Sequence, residues 1–169
     1  MALWRDGSFA DDIWTTLDDS APIPKRGAIV VSFARWRADK ATLETRADPV
    51  GVAIVAGKDA VGELAEAAKR PLVALKFDKF ADGRAFSYAE LLRERCGFKG
   101  ELRATGDVLL DEIALMQRCG FTSFEVTDAN TLRALKEGRL PKGALFYQPA
   151  PGQREAPAGT RPWLRRAAS

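Results

Sequence analysis

Three stretches of this 169-residue chain gather side chains that could do chemistry, and each follows a short apolar run. The richest is Lys76-Phe77-Asp78-Lys79-Phe80-Ala81-Asp82-Gly83-Arg84-Ala85-Phe86-Ser87; the others are Thr105-Gly106-Asp107 and Thr127-Asp128. Lys79, Arg84 and Arg103 offer three cations to an anion, which backbone N–H groups at a helix beginning near Ser87 would also hold. Acid–base work would fall to Asp82, Asp107 or Glu101, because the chain has no histidine. A plainer reading makes Asp82-Gly83 a turn, Ser87 a helix cap, and the charges a solvated rim paired with Asp107, Asp111 or Glu101.

The missing histidine also excludes a Ser-His-Asp or Cys-His nucleophile and every metal site that needs imidazole. Two cysteines cannot hold an iron–sulfur cluster or build a disulfide framework, and the spacing of Cys96 and Cys119 matches no redox or metal motif. Cys96 falls on an apolar stripe. Cys119, beside Arg118, sits at a helix C-terminus, where the dipole raises a thiol pKa. With no G-x-G-x-x-G after the first apolar run and no Walker loop, no cofactor is evident in the chain.

These stretches need a scaffold, and the apolar pattern supplies one. Short apolar runs at 28–33, 52–55, 72–75, 102–104, 124–126 and 145–147 alternate with amphipathic segments. One such segment places Val61, Leu64, Ala65 and Ala68 on one stripe. A second carries Ala85, Ala89, Leu92 and Cys96 and opens on a Ser87/Glu90 capping box. A third carries Leu109, Ile113 and Met116, with Asp107 as its cap. Five to six βα units on one mainly parallel sheet follow, an open sheet being favoured over part of a (β/α) barrel. In such sheets ligands bind beyond the carboxyl ends of the strands, where all three stretches fall. The sequence Arg-Cys-Gly-Phe ends the helix before residue 98 and again before residue 121, which reads as one helix-to-strand joint used twice, glycine left-handed and phenylalanine packed back.

Ahead of the main body, Asp6-Gly7 predicts a tight turn between two short strands. The expected organisation is a hairpin arm over 1–20, an α/β domain over 25–148 and a basic tail over 149–169. Trp4 and Trp14 in the hairpin suggest a surface for a partner or a second copy, with core packing as the alternative. At 46% hydrophobic and 29% charged residues the composition is that of a folded chain. The net charge of +3 divides into −4 over residues 1–20, +4 in the middle and +3 over the last twenty. That excess is too small for a duplex-DNA stripe. Without the apolar core of a signal peptide in the first ten residues, or any run long enough to cross a membrane, the expectation is a cytoplasmic protein.

Lys79-Phe80-Ala81-Asp82-Gly83-Arg84, Leu91-Leu92-Arg93-Glu94-Arg95, Gly100-Glu101-Leu102-Arg103-Ala104-Thr105-Gly106-Asp107-Val108-Leu109 and Arg118-Cys119-Gly120-Phe121 together resemble the bacterial family called domain of unknown function 934. Asp12 with Trp14, Arg35-Trp36 and Tyr147-Gln148 fit the same pattern, so the resemblance covers about residues 9–148. Family members are commonly labelled oxidoreductases of sulfite reduction and tend to be encoded beside the sulfite reductase hemoprotein. The resemblance thus implies an accessory or partner of assimilatory sulfite reduction, siroheme and iron–sulfur cluster belonging to the partner. It marks Lys79, Asp82, Arg84, Arg93, Glu101, Arg103, Asp107, Arg118 and Cys119 as family-motif positions, while Asp78 and Cys96 depart from the pattern. The oxidoreductase label stands against a sequence with no redox motif. A small enzyme or anion-binding protein using Lys79, Arg84 and Arg103 on sulfite, sulfate or a phosphate ester is the alternative.

Overall fold

In a computed structural model of the chain, residues 1–57, 60–77 and 83–140 are described. Strands form where β-branched and apolar residues run together: β1 (Ala2–Arg5), β2 (Ser8–Ala10), β3 (Trp14–Thr16), β4 (Ala28–Ser32), β5 (Val50–Val55), β6 (Leu72–Phe77), β7 (Glu101–Gly106) and β8 (Ser123–Val126). Between them lie α1 (Phe33–Ala38), α2 (Lys40–Glu44), α3 (Leu64–Ala67), α4 (Arg84–Glu94) and α5 (Leu110–Arg118), and α6 (Ala129–Lys136) follows β8.

All eight strands make one sheet in the order β2-β1-β8-β7-β6-β5-β4-β3. From β3 to β8 every pairing is parallel; only β1 runs against its neighbours. Each crossover from β4 to β8 steps to the adjacent position in the same sense, which keeps the helices on one face. On that face Ile29, Val31, Val52, Ile54, Val73, Leu75, Leu102, Ala104, Phe124 and Val126 pack with Trp36, Leu64, Leu92, Ile113 and Met116 in the main core. The alternate residues face the other way, and of these Val30, Leu72 and Ala74 form a small second cluster with Trp14 and Ala53.

The second face is not flat. The outermost strands β2 and β3 are consecutive in the chain, joined by residues 11–13 alone. Eight flat strands would set them about 34 Å apart, whereas the chain from Ala10 to Trp14 reaches at most about 14 Å. The sheet must therefore curl like a half-barrel, with the helices outside and the second face as its hollow. Open sheet and partial barrel, the two expected architectures, meet in this one shape.

Asp6 at φ 52° and Gly7 at φ 83° make the expected turn. The hairpin is no separate arm, however, since β1 pairs with β8 from Ala2↔Val126 to Arg5↔Ser123. Trp4 is buried with its ring 5.6 Å from that of Phe124, and half-buried Trp14 lies in the hollow, so both tryptophans pack within the fold.

Three local expectations shift. Helix α4 starts at Arg84 with Gly83 as its N-cap, because Ala85 and Phe86 pack against the sheet, Phe86 at 5.2 Å from Phe77; the Ser87/Glu90 pair thus lies inside the helix and caps nothing. Helix α5 has Leu109 at its N-cap position, while the backbone N–H of Asp107 donates to the Phe77 carbonyl one strand away. In the stretch before α3, a 3₁₀ turn over Ala60–Glu63 resets the stripe, so Leu64 and Ala67 are buried while Val61 and Ala65 are exposed. The repeated joint forms as read. Gly97 and Gly120 have φ of 64° and 103°, Phe98 and Phe121 are buried, and their N–H groups donate to Leu92 and Met116 six and five residues back. The apolar run at 145–147 and the basic tail lie outside the described residues.

Candidate functional site

Because side chains alternate along a strand, one residue in two of β4–β8 projects into the hollow. Near the carboxyl ends of the strands they enclose a cavity of about 520 Å³. One wall, from β4, β5 and β6, is largely apolar: Val30, Ala53, Val55 and Ala74. The other, from β7 and β8 and the turns after them, is polar: Thr105, Asp107, Glu125 and Thr127. Thr16, Leu17, Ser32, Lys76 and Gly106 complete the lining. The turns Thr105-Gly106-Asp107 and Thr127-Asp128 thus stand where the sequence put them, at the ligand-binding end of the sheet.

Gly106 makes this mouth possible. Its φ is 85°, and a Cβ there would lie 2.2 Å from the Phe77 carbonyl oxygen, a backbone atom that cannot move aside. Gly106→Ala is expected to lose about 2 kcal/mol or more in urea unfolding; an alanine variant as stable as the parent would contradict this close approach.

Deeper in the hollow sits Arg103, only 2% exposed. Its Nη1 and Nη2 donate to the Asp12 carboxylate at 2.7 and 3.0 Å, and its Nε and Nη2 donate to Glu101 Oε1 at 3.1 and 2.8 Å. The Ser123 hydroxyl adds a 2.6 Å bond to the same Glu101 oxygen, and Arg5 stands 3.8 Å from its other one. Burial works against the charge on Arg103, but the bonds and charges of Asp12 and Glu101 outweigh it and hold the guanidinium above its ordinary pKa. The expected anion cluster therefore does not form around this residue, whose donors the chain's own carboxylates already occupy. Glu101 is likewise committed as an acceptor. Arg84 is exposed at the start of α4 and lines no part of the cavity, and Lys79 and Asp82 lie outside the described residues. Of the acid–base candidates, Asp107 alone is described in the cavity wall.

Three family-motif positions lie on the outer face. The Arg93 guanidinium donates to the carbonyls of Gly120, Phe98 and Gly100, so it ties the two repeated joints together. Cys119 is buried, its thiol 3.6 Å from Glu90 Oε1; burial first, then the charge of Glu90, push its pKa up to about 11, which removes it as a thiolate nucleophile near neutral pH. Arg118 closes α5, half-buried. Among the described residues no group of three His, Cys, Asp or Glu side chains is arranged to hold a metal ion, and no helix is long and apolar enough to cross a membrane.

A family model described as bacterial protein of unknown function (DUF934) matches residues 51–158. The chain belongs to this family. No curated protein and no solved structure matches it. The DUF934 match spans β5 to α6, and with them Arg103, Glu101 and most of the cavity wall; the hairpin, Asp12 and β4 precede it.

Sequence reasoning placed Asp12 in the family pattern but gave it no role, and it passed over Glu125 altogether. Asp12 gave no local sign of its partner, 91 positions away. Glu125 did give one, an acid between Phe124 and Val126 in a strand that should be buried on both faces. It is half-buried in the cavity wall and makes no hydrogen bond or ion pair to any described residue. Burial raises its carboxyl pKa above the usual range; Arg103 opposes that and Asp12 adds to it. Folding thus tightens the proton's hold, so the carboxyl favours the native state in acid, and that contribution is lost as pH rises through the raised pKa. Glu125→Gln should therefore match the parent in acid and become the more stable of the two toward neutral pH, as followed by urea unfolding across that range. A variant less stable at neutral pH would overturn this account of the carboxyl.

Proposed function

We propose that the protein is an accessory of assimilatory sulfite reduction that acts by binding a small ligand in the mouth of its curled sheet. The observation that carries the binding half is the cavity itself. It combines a largely apolar wall, a polar wall and a carboxyl without a partner among the described residues, at the carboxyl ends of parallel strands, the place where α/β proteins bind their ligands. The pathway half draws support from the family resemblance and its sulfite-reduction label. A non-catalytic role fits a chain without histidine, whose buried thiol is held protonated.

Two experiments test the two halves. Purification of the tagged full chain from its native host should bring down the sulfite reductase hemoprotein, and deletion should slow growth on sulfate; normal growth with no capture would remove the pathway. For the cavity, thermal-shift screening of small molecules should find stabilisers whose effect is lost in Ala53→Leu, which fills the apolar wall. Stabilisers indifferent to that substitution would place binding elsewhere.

A further inference from the structure

The cavity's two walls differ in kind, and together they describe a ligand. The β4–β6 wall is built mainly from Val30, Ala53, Val55 and Ala74, with Gly51 below them on the same face and Ser32 and Lys76 toward the strand ends, and it leaves a broad apolar surface against the sheet. The opposite wall presents the carboxylates of Glu125 and Asp107 and the hydroxyls of Thr105 and Thr127. That wall is rich in acceptors. Arg103, the strongest donor nearby, is committed to Asp12 and Glu101, and Lys76, the cation of the lining, has an interaction of its own.

A bare oxyanion suits this site poorly, since beside Lys76 it would meet two carboxylates and leave most of about 520 Å³ unfilled. Cavities of roughly 300–1,000 Å³ take ligands of nucleoside size and above. A carboxylate with both oxygens unpaired is matched by two adjacent N–H donors, one to each oxygen. We propose that the cavity binds an amino-bearing aromatic heterocycle of the guanine or pterin kind, its ring against the β4–β6 wall and its paired N–H edge on Glu125. This rests on the cavity being a binding site, as argued above, and names the chemistry of its occupant. The two donors would also relieve the cost of ionising a half-buried carboxyl. Where no ligand supplies those donors, that cost falls on the fold. Glu125 would thus be kept at the expense of stability, which is the usual mark of a residue held for binding.

Calorimetric titration of the full-length chain with guanosine and inosine tests it. Guanosine should bind. Inosine, which lacks the 2-amino group, should bind roughly tenfold more weakly, and Glu125→Gln should weaken guanosine by a similar factor because its amide sets a donor against a donor. The inosine comparison needs no variant and so stands even if Glu125→Gln folds poorly. No heat with guanosine, equal binding of the two nucleosides, or guanosine held equally by a folded Glu125→Gln would overturn the proposal. Failure here is separable from failure of the cavity as a site: stabilisers of another class that are lost in Ala53→Leu would refute the heterocycle and keep the site, whereas none lost in that variant would take both down.

Discussion

Arg103→Met is expected to lower the unfolding free energy by about 3–5 kcal/mol, the usual cost of removing one partner from a buried ion pair. The side chain is replaced by one of similar length that packs but cannot donate, so Asp12 and Glu101 are left facing each other in the hollow. Ser123 satisfies only one Glu101 oxygen, and Arg5 stands at 3.8 Å from the other with a side chain 43% exposed. The effect should be asymmetric. The Asp12 side chain is 28% exposed, so water can partly replace it, and Asp12→Asn should cost only about 1 kcal/mol. Urea unfolding of both variants provides the check, and an Arg103→Met protein within about 1 kcal/mol of the parent would show that the network is not what secures the hollow. Removing all three charges together, as Asp12→Ala, Glu101→Leu and Arg103→Met, should recover much of the loss, because no charge is then buried unpaired.

The second large effect lies on the outer face. Arg93 donates through Nε and Nη2 to Gly120 O at 2.9 and 2.7 Å, and through Nη1 to Phe98 O and Gly100 O at 2.8 and 3.0 Å. Its guanidinium also stands 5.1 Å from the Phe98 ring. Three carbonyls from two helix ends thus share one side chain, and Gly120 must remain glycine because a Cβ there would lie 2.6 Å from Arg93 Cγ. Arg93→Met should cost about 2–4 kcal/mol, since the freed carbonyls are half-buried and only partly rehydrated. Arg93→Lys should recover less than half of that, a single ammonium being unable to span both joints. Equal stability of the lysine variant and the parent would mean that charge, and not the planar fork, is what the joints require.

The repeated Arg-Cys-Gly-Phe was legible because it is local: glycine and phenylalanine at fixed offsets from a helix end meet the same backbone demand twice. What the sequence hid was that one arginine, Arg93, serves both copies, since Gly120 and Phe98 meet only in three dimensions. Strands β4 to β8 were equally legible, because each is a short run of residues suited to burial on both faces. Strand β3 was not. Trp14-Thr15-Thr16 has no apolar run, and its position is set by pairing with Ala28–Val30 and by the short connection from β2. The same blindness redirected the site. Arg103 looked like a ligand-facing cation because Asp12, one of the two carboxylates that claim it, lies far away in the chain, whereas its pairing with Glu101 was the plainer reading. Glu125 was passed over as an ordinary strand residue, although its burial and lack of partners are what distinguish it.

The connection over residues 11–13 also orders events in time. Strand β1 can pair at once with β2, but its other partner β8 begins at Ser123, so that edge waits until the residues between them have been made. Until then Trp4 has no Phe124 to cover it and Arg103 has no Asp12. The sheet from β4 to β8 can assemble by local steps, and closing it over the hollow is the long-range, slow one. An unfinished chain therefore carries an exposed tryptophan and an arginine short of one of its two carboxylates, and both are covered in the single act that completes the cavity.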